Sequence, residues 1–173
     1  MFVALLLTLA GIDPALFDPV TGYRIAHYRG VVGDSPPGVI RIDDAQAGAL
    51  HDAGKALFVD VTPAPGAGLA PHQTITGAHW FPEAGRGPPD PAIDTWFAAG
   101  IKRLTRGTKR RTIVVFCLAD CWMSWNASWK LTRLGYADVR WYANGIDGWR
   151  DLGRRSVVVQ PETSRNRSSS DLP

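Results

Sequence analysis

Thr112-Ile-Val-Val-Phe116 is an almost unbroken apolar, β-branched run followed at once by a cysteine. Such a run, with no alternation of polar residues, reads as a strand buried on both faces. Ala56-Leu-Phe-Val-Asp-Val61 has the same character. Shorter strands are expected over 77–81, stopped by Pro82, and over 138–142. Helical stretches separate them. One is capped by Asp43 or Asp44 and runs to Gly54. A second opens at Pro91 and carries Ile93, Trp96, Phe97, Ile101 and Leu104 at helical spacing. A third spans about Ser124 to Leu134 and ends at Gly135, and a short one lies within 144–149. Strands alternating with helices predict an α/β fold with a mainly parallel central sheet flanked by helices.

A chain of 173 residues is one domain with extensions on a prior of roughly 150 residues per domain. The domain is assigned to residues 42–152. Residues 11–41, rich in Gly, Pro and Asp, read as an irregular N-terminal extension in which 18–23 forms a turn leading into an extended segment. Residues 153–173 are expected to be a disordered tail, polar and Ser-rich toward the end. The first ten residues contain the apolar stretch Phe2–Leu9 and end in Thr8-Leu9-Ala10, a small-x-small pattern. They read as the remnant of an export signal without its basic start, so the protein is expected in the periplasm. That stretch is too short to span a bilayer, so no stable membrane insertion is expected.

The net charge of +3 is weak. The six cations within 102–111 have no interleaved stacking aromatics, so nucleic acid is not an expected partner. Two cysteines cannot close a four-cysteine zinc site, and no metal is expected.

The chemistry-bearing segment is Cys117-Leu-Ala-Asp-Cys121-Trp-Met123. Cys117 follows a strand and precedes a helix, where ligand sites of open α/β sheets lie and where free backbone amides favour an anion. Cys117 is therefore the expected nucleophile. If the loop curls like a helical turn, Cys121 comes within disulfide reach, about 6 Å between Cα atoms, and can resolve a persulfide or mixed disulfide. Amides from Leu118 through Ala119, Asp120 and Trp122 to Met123 are expected to cup the thiolate. Asp120 is expected to oppose it by about 1–2 pKa units. No Arg or Lys within the loop offsets that carboxylate. Trp122, Trp125 and Trp129 share one helix face. With Asn126, this face either packs against the sheet or extension or forms a wall for a planar cofactor or partner.

These residues resemble the rhodanese-like family over roughly 42–152. The likeness is carried by Val59-Asp60-Val61, by His72 with Ile75-Thr76-Gly77-Ala78, by Val114-Val115-Phe116-Cys117, by Leu134-Gly135-Tyr136, and by Gly145-Ile146-Asp147-Gly148-Trp149. More narrowly, Cys117-x-x-x-Cys121-Trp122 and the segment 17–24 resemble rhodanese-like proteins linked to catabolism by pyrroloquinoline quinone (PQQ)-dependent enzymes. That resemblance implies an exported protein working beside periplasmic quinoprotein alcohol oxidation. The implied partner is a quinoprotein dehydrogenase or its transport and accessory components. The sequence requires no cofactor, and PQQ or another redox cofactor is what the resemblance suggests. Thr62 stands where the family often has arginine, and residues 120–124 lack the arginine of the usual loop. Both departures weigh against thiosulfate sulfurtransfer. The leading expectation is a redox-active or persulfide-carrying cysteine pair. The alternatives are a non-enzymatic accessory protein that binds a redox cofactor or quinoprotein, and a thiosulfate sulfurtransferase.

Overall fold

The computed structural model describes residues 13–163. The expected signal remnant at 1–10 and the end of the tail, 164–173, lie outside the described residues. In chain order the elements are β1 (Val39–Ile42), α1 (Asp44–Asp52), β2 (Leu57–Asp60), β3 (Gln73–Ile75), β4 (His79–Trp80), α2 (Pro91–Leu104), β5 (Ile113–Phe116), α3 (Trp122–Arg133), β6 (Val139–Tyr142), α4 (Gly145–Asp151) and β7 (Ser156–Val158). Five strands form one sheet in the order β1-β6-β5-β2-β4, and all their pairings are parallel. The expected α/β architecture is present, with β5 at its centre.

Every residue of β5 is buried, and its side chains alternate between two cores. Ile113 and Val115 join Phe97 and Ile101 of α2 and Ala127 and Leu131 of α3. Val114 and Phe116 join Ala47 of α1 and Ile146 and Trp149 of α4. The alternation follows from the pleat: successive Cβ atoms point to opposite faces. Helices on both faces then make a strand uniformly apolar, which is why β5 is legible in the sequence.

Three elements depart from expectation. β1 is an edge strand whose two central residues are exposed, so the segment 39–42 carries neither a continuous apolar run nor strict alternation. The tail is ordered past residue 153. β7 pairs antiparallel with β3, and Glu162 accepts from His79 Nδ1 at 2.5 Å and pairs with Arg103. Trp96 Nε1 donates to the Glu162 carbonyl at 3.1 Å. These partners are all distant in sequence, and a polar stretch read alone contains no sign of them. The third departure is at α3, which begins at Trp122, two residues before the expected Ser124.

The N-terminal extension folds back as a small hairpin. Asp18 Oδ1 accepts from the Thr21 amide at 2.6 Å, and Phe17 bridges Arg24. Gly22 adopts φ +74°, and a Cβ there would sit 2.8 Å from the Trp129 ring. The turn thus needs glycine for conformation and for clearance. Asn126, fully buried on α3, pins the hairpin. Its Oδ1 accepts from the Arg24 amide at 2.9 Å, and its Nδ2 donates to the carbonyls of Arg24 and Gly85, both at 2.8 Å. Asn126→Ala would orphan three buried backbone groups, at about 1–3 kcal/mol each before relaxation. The expected result is a lower urea midpoint together with earlier protease cleavage within 13–35. Wild-type behaviour in both measurements would mean that the hairpin is held elsewhere.

Candidate active site

β5 delivers Cys117 directly beneath the loop that leads to α3. The loop is held from below by α4. The Ile146 amide donates to the Cys117 carbonyl at 2.9 Å, and Asp147 Oδ2 accepts from the Ala119 amide at 2.9 Å. It is held from above by the extension. Gly30 N donates to the Asp120 carbonyl at 2.9 Å, and Trp122 N donates to the Tyr28 carbonyl at 2.8 Å. Arg29 lies opposite Cys121 in an antiparallel bridge. The segment 28–30 therefore works as an added strand over the cysteine loop. This external acceptor for the Trp122 amide accompanies the early start of α3, and it makes Cys121 the N-cap residue.

The two sulfurs have different environments. Cys117 is completely buried. Its Sγ lies 3.3 Å from Ser124 Oγ, 3.5 Å from the Cys121 carbonyl and 3.6 Å from the Leu118 carbonyl. Ser124 Oγ directs its own proton to the Cys121 carbonyl at 3.0 Å and accepts from Trp141 Nε1 at 3.0 Å. What faces the Cys117 sulfur is therefore mostly acceptor, which suits a protonated thiol. Burial pushes this thiol well above the ordinary cysteine range, and the adjacent Cys121 adds to that.

Cys121 is held below the ordinary range. The Cys117 thiol contributes most by hydrogen bonding to it, while burial opposes. The Met123 amide, the charge of Arg29 and the Ser124 amide also favour its thiolate. Its place at the start of a twelve-residue helix explains the amides, which have no intrahelical acceptor there. Cys121 also lines a cleft of about 430 Å³, with His27, Tyr28, Arg29, Pro63, Leu118 and Met123. Both cysteines are free thiols.

This geometry opposes several expectations. Cys117, expected as the nucleophile, is completely buried and its thiol is pushed up by burial, whereas Cys121, expected as the resolving thiol and itself only 3% exposed, is the one that lines the cleft. The expected cup of amides around Cys117 is not formed. The Ala119 and Trp122 amides serve Asp147 and Tyr28, the Met123 amide serves Cys121, and the Ser124 amide alone acts on both sulfurs. Asp120 is exposed in a left-handed conformation, φ +51°, and is not among the groups that act on Cys121. The missing loop cation is supplied from outside the motif, by Arg29. Arg86 is instead paired with Glu83.

The tryptophan face is a packing surface. Trp122 is buried edge-on to Phe17, with centroids 5.4 Å apart, and Trp129 meets Tyr23 at 5.5 Å. Trp125 Nε1 donates to the Asp34 carbonyl at 2.8 Å. Asn126 is fully used by backbone groups. The expected wall of Trp125, Asn126 and Trp129 for a cofactor or partner is thus covered by the extension, because three large rings on one helix face bury more favourably than they hydrate.

His72, from the His-x-x-Ile segment, does not reach the cysteines. Its Nε2 pairs with the fully buried Asp60 Oδ2 at 2.8 Å, and its ring stacks on Trp80 at 4.2 Å. Asp60 also accepts from Thr74 Oγ1 at 2.5 Å and from the Thr62 amide at 2.8 Å. Thr62, which stands at the family's arginine position, is buried in this network. The residues that sequence reading missed are His27, Tyr28, Arg29 and Pro63 on the cleft and Ser124 and Asp147 beneath it. Asp147 lay within a recognised motif, but His27, Tyr28 and Arg29 carried no local signal. Among the described residues, no group of three or more His, Cys, Asp or Glu converges as a metal site, and no helix is long and apolar enough to cross a membrane.

Among solved structures, the chain is similar to a full-length protein from Lactobacillus plantarum at 22% identity, with 69% of this chain and 88% of that one covered and a TM-score of 0.52. It is also similar to thiosulfate sulfurtransferase from Pseudomonas aeruginosa at 20% identity and a TM-score of 0.50; the match covers 71% of this chain and 21% of that enzyme. Likeness at this level speaks to the fold alone. No curated protein matches the chain in sequence. The sequence profile of the rhodanese-like domain, however, matches residues 43–152, which span the sheet from α1 through α4 and include both cysteines. With the parallel sheet, the cysteine at the end of β5 and the α4 segment gripping the loop, this match makes the chain a member of the rhodanese-like domain family.

Proposed function

We propose that this chain is an exported sulfur-handling protein in which Cys121 is the nucleophile and Cys117 the resolving thiol, acting beside PQQ-dependent alcohol catabolism. The observation that carries the chemical part is the pairing of a cleft-lining cysteine at a helix N-terminus with a sealed, protonated thiol next to it. The Cys121 thiolate attacks the outer sulfur of a donor R–S–SH, becomes Cys121–S–SH and releases R–S⁻. The Cys117 thiol then attacks Cys121 Sγ and passes its proton to the departing outer sulfur. The Cys117–Cys121 disulfide forms and the outer sulfur leaves as hydrogen sulfide. The pair has given up two electrons, and an external dithiol resets it. If a sulfur acceptor arrives first, it takes the outer sulfur from Cys121–S–SH and regenerates the thiolate.

The link to PQQ-dependent catabolism and the periplasm rests on the Cys-x-x-x-Cys-Trp resemblance and the apolar start of the chain. PQQ carries several carboxylates. Arg29 is the single Arg or Lys among the cleft-lining residues, and the tryptophan face is covered. The cofactor is therefore assigned to the partner quinoprotein, with this chain as a thiol accessory. Thiosulfate transfer is disfavoured by the same shortage of cations.

Protein isolated from the native cell without reductant should contain a Cys117–Cys121 disulfide or a Cys121 persulfide by peptide mass spectrometry. Two free thiols that stay inert to a persulfide donor would remove the mechanism. N-terminal sequencing of the same sample should begin near Gly11; an intact Met1 in the cytoplasmic fraction would remove the export reading.

A further inference from the structure

Resting on the reading of Cys121 as nucleophile, we propose that the cleft selects an organic sulfur compound with an apolar body and a single negative charge, rather than a small inorganic dianion. The volume is the first observation. About 430 Å³ falls in the range of small organic ligand sites, roughly 300–1,000 Å³, and far exceeds what an anion of a few atoms fills. The lining is the second. Pro63, Leu118 and Met123 present hydrocarbon around Cys121, and Tyr28 adds the face of an aromatic ring whose hydroxyl is already engaged with Gly87. Desolvating a doubly charged ion against such walls is costly unless several cations receive it. The third observation is charge. Arg29 is the single Arg or Lys among the lining residues and is exposed, and His27, also exposed, is the one other lining side chain able to carry positive charge, so the cleft has one fixed cation to balance a negative group.

The arrangement divides recognition between two parts of the chain. The hydrocarbon belongs to the cysteine loop, the start of α3 and the segment after β2. The cation belongs to the N-terminal extension, which reaches the site only by pairing with residues 120–122. Arg29 thus takes the place of the loop arginine that this chain lacks. It meets the substrate from the opposite side.

Methanethiosulfonate reagents test this directly on the full-length protein. The Cys121 thiolate displaces methanesulfinate from CH3SO2–S–R and forms Cys121–S–S–R, so R can be varied at constant chemistry. The second-order rate for the benzyl reagent, divided by that for the methyl reagent, should exceed the same ratio on free N-acetylcysteine by about tenfold, as expected for partial burial of a phenyl ring. Leu118→Asp should bring the ratio back toward the free-thiol value. Since Leu118 also packs on both cores, Pro63→Asp provides an independent variant with the same expected direction. Because Arg29 also favours the Cys121 thiolate, its effect is read as a ratio: Arg29→Glu should slow the anionic sulfonatoethyl reagent by about fivefold more than the methyl reagent at low ionic strength, with the difference fading in high salt. A benzyl-to-methyl ratio equal to that of the free thiol would overturn the inference and leave the nucleophile in place. Failure of the methyl reagent to label Cys121 at all would overturn the reading beneath it.

Discussion

Cys121→Ser is expected to lower the rate of alkylation by iodoacetamide at neutral pH by at least about 100-fold, because only a thiolate that the reagent can reach reacts. The residual thiol in that variant is Cys117, which lies fully buried and is held well above the ordinary range. The wild-type rate should rise with pH through a midpoint below that of an ordinary thiol, because Cys121 ionises early and the reagent takes only the thiolate. Cys117→Ala removes the largest contribution to that early ionisation. A depressed acid that loses a donor titrates later, so the midpoint should move up toward that of an ordinary thiol. Peptide mapping provides the decisive reading. Label found mainly on Cys117, or equal loss of rate in the two single variants, would return the nucleophile to the end of β5.

Gly145→Ala is expected to be severely damaging. Gly145 adopts φ +56°, and a Cβ would lie 2.0 Å from the Cys117 carbonyl oxygen and 2.8 Å from its carbon. Both atoms are backbone and cannot swing aside. The left-handed conformation adds about 1–2 kcal/mol for a residue with a Cβ. Relieving the overlap means pulling α4 from the loop and breaking the bond from the Ile146 amide to the Cys117 carbonyl. A total loss above about 3 kcal/mol is expected, which for a chain of this size lowers Tm by roughly 10 °C. In whatever folded fraction remains, Cys117 should become open to alkylation. A melting temperature within a degree or two of wild type would show that the α4 start is not the clamp described above.

The clamp and the two thiols were unequally visible in the amino-acid order. β2 and β5 are buried on both faces and declare themselves as apolar runs, so sheet and fold class are readable without coordinates. Asp43, one of the two anticipated candidates, caps α1, and Pro91 opens α2 as anticipated, behind the cap Asp90. β1, β7 and the Glu162 contacts are held by distant partners. Val39-Ile-Arg-Ile42 and Val157-Val-Val159 are β-branched but too short to stand out beside Pro, Gly and charged neighbours, and the expected disordered tail was wrong for residues 156–162 for that reason. At the site, the spacing predicted that Cys121 lies near Cys117, whose Sγ is 3.5 Å from the Cys121 carbonyl. Local pattern favoured Cys117 as nucleophile because it follows the strand directly, and carried no sign of the helix start at Trp122.

That ranking depends on where α3 starts, and the start is marked by a bond from outside the domain. The Trp122 amide donates to the carbonyl of Tyr28, which makes Cys121 the N-cap and leaves Cys117 underneath. The amino-acid order by itself determined that a sulfur pair would sit at the carboxyl edge of a parallel sheet, since strand burial and helix punctuation are local properties of composition and spacing. Only the tertiary structure decided which sulfur meets the cleft, which cation stands beside it and that the tryptophans are covered. Each of those depends on the N-terminal extension returning across the loop, and chain return is settled by the summed burial and hydrogen bonding of residues far apart in sequence.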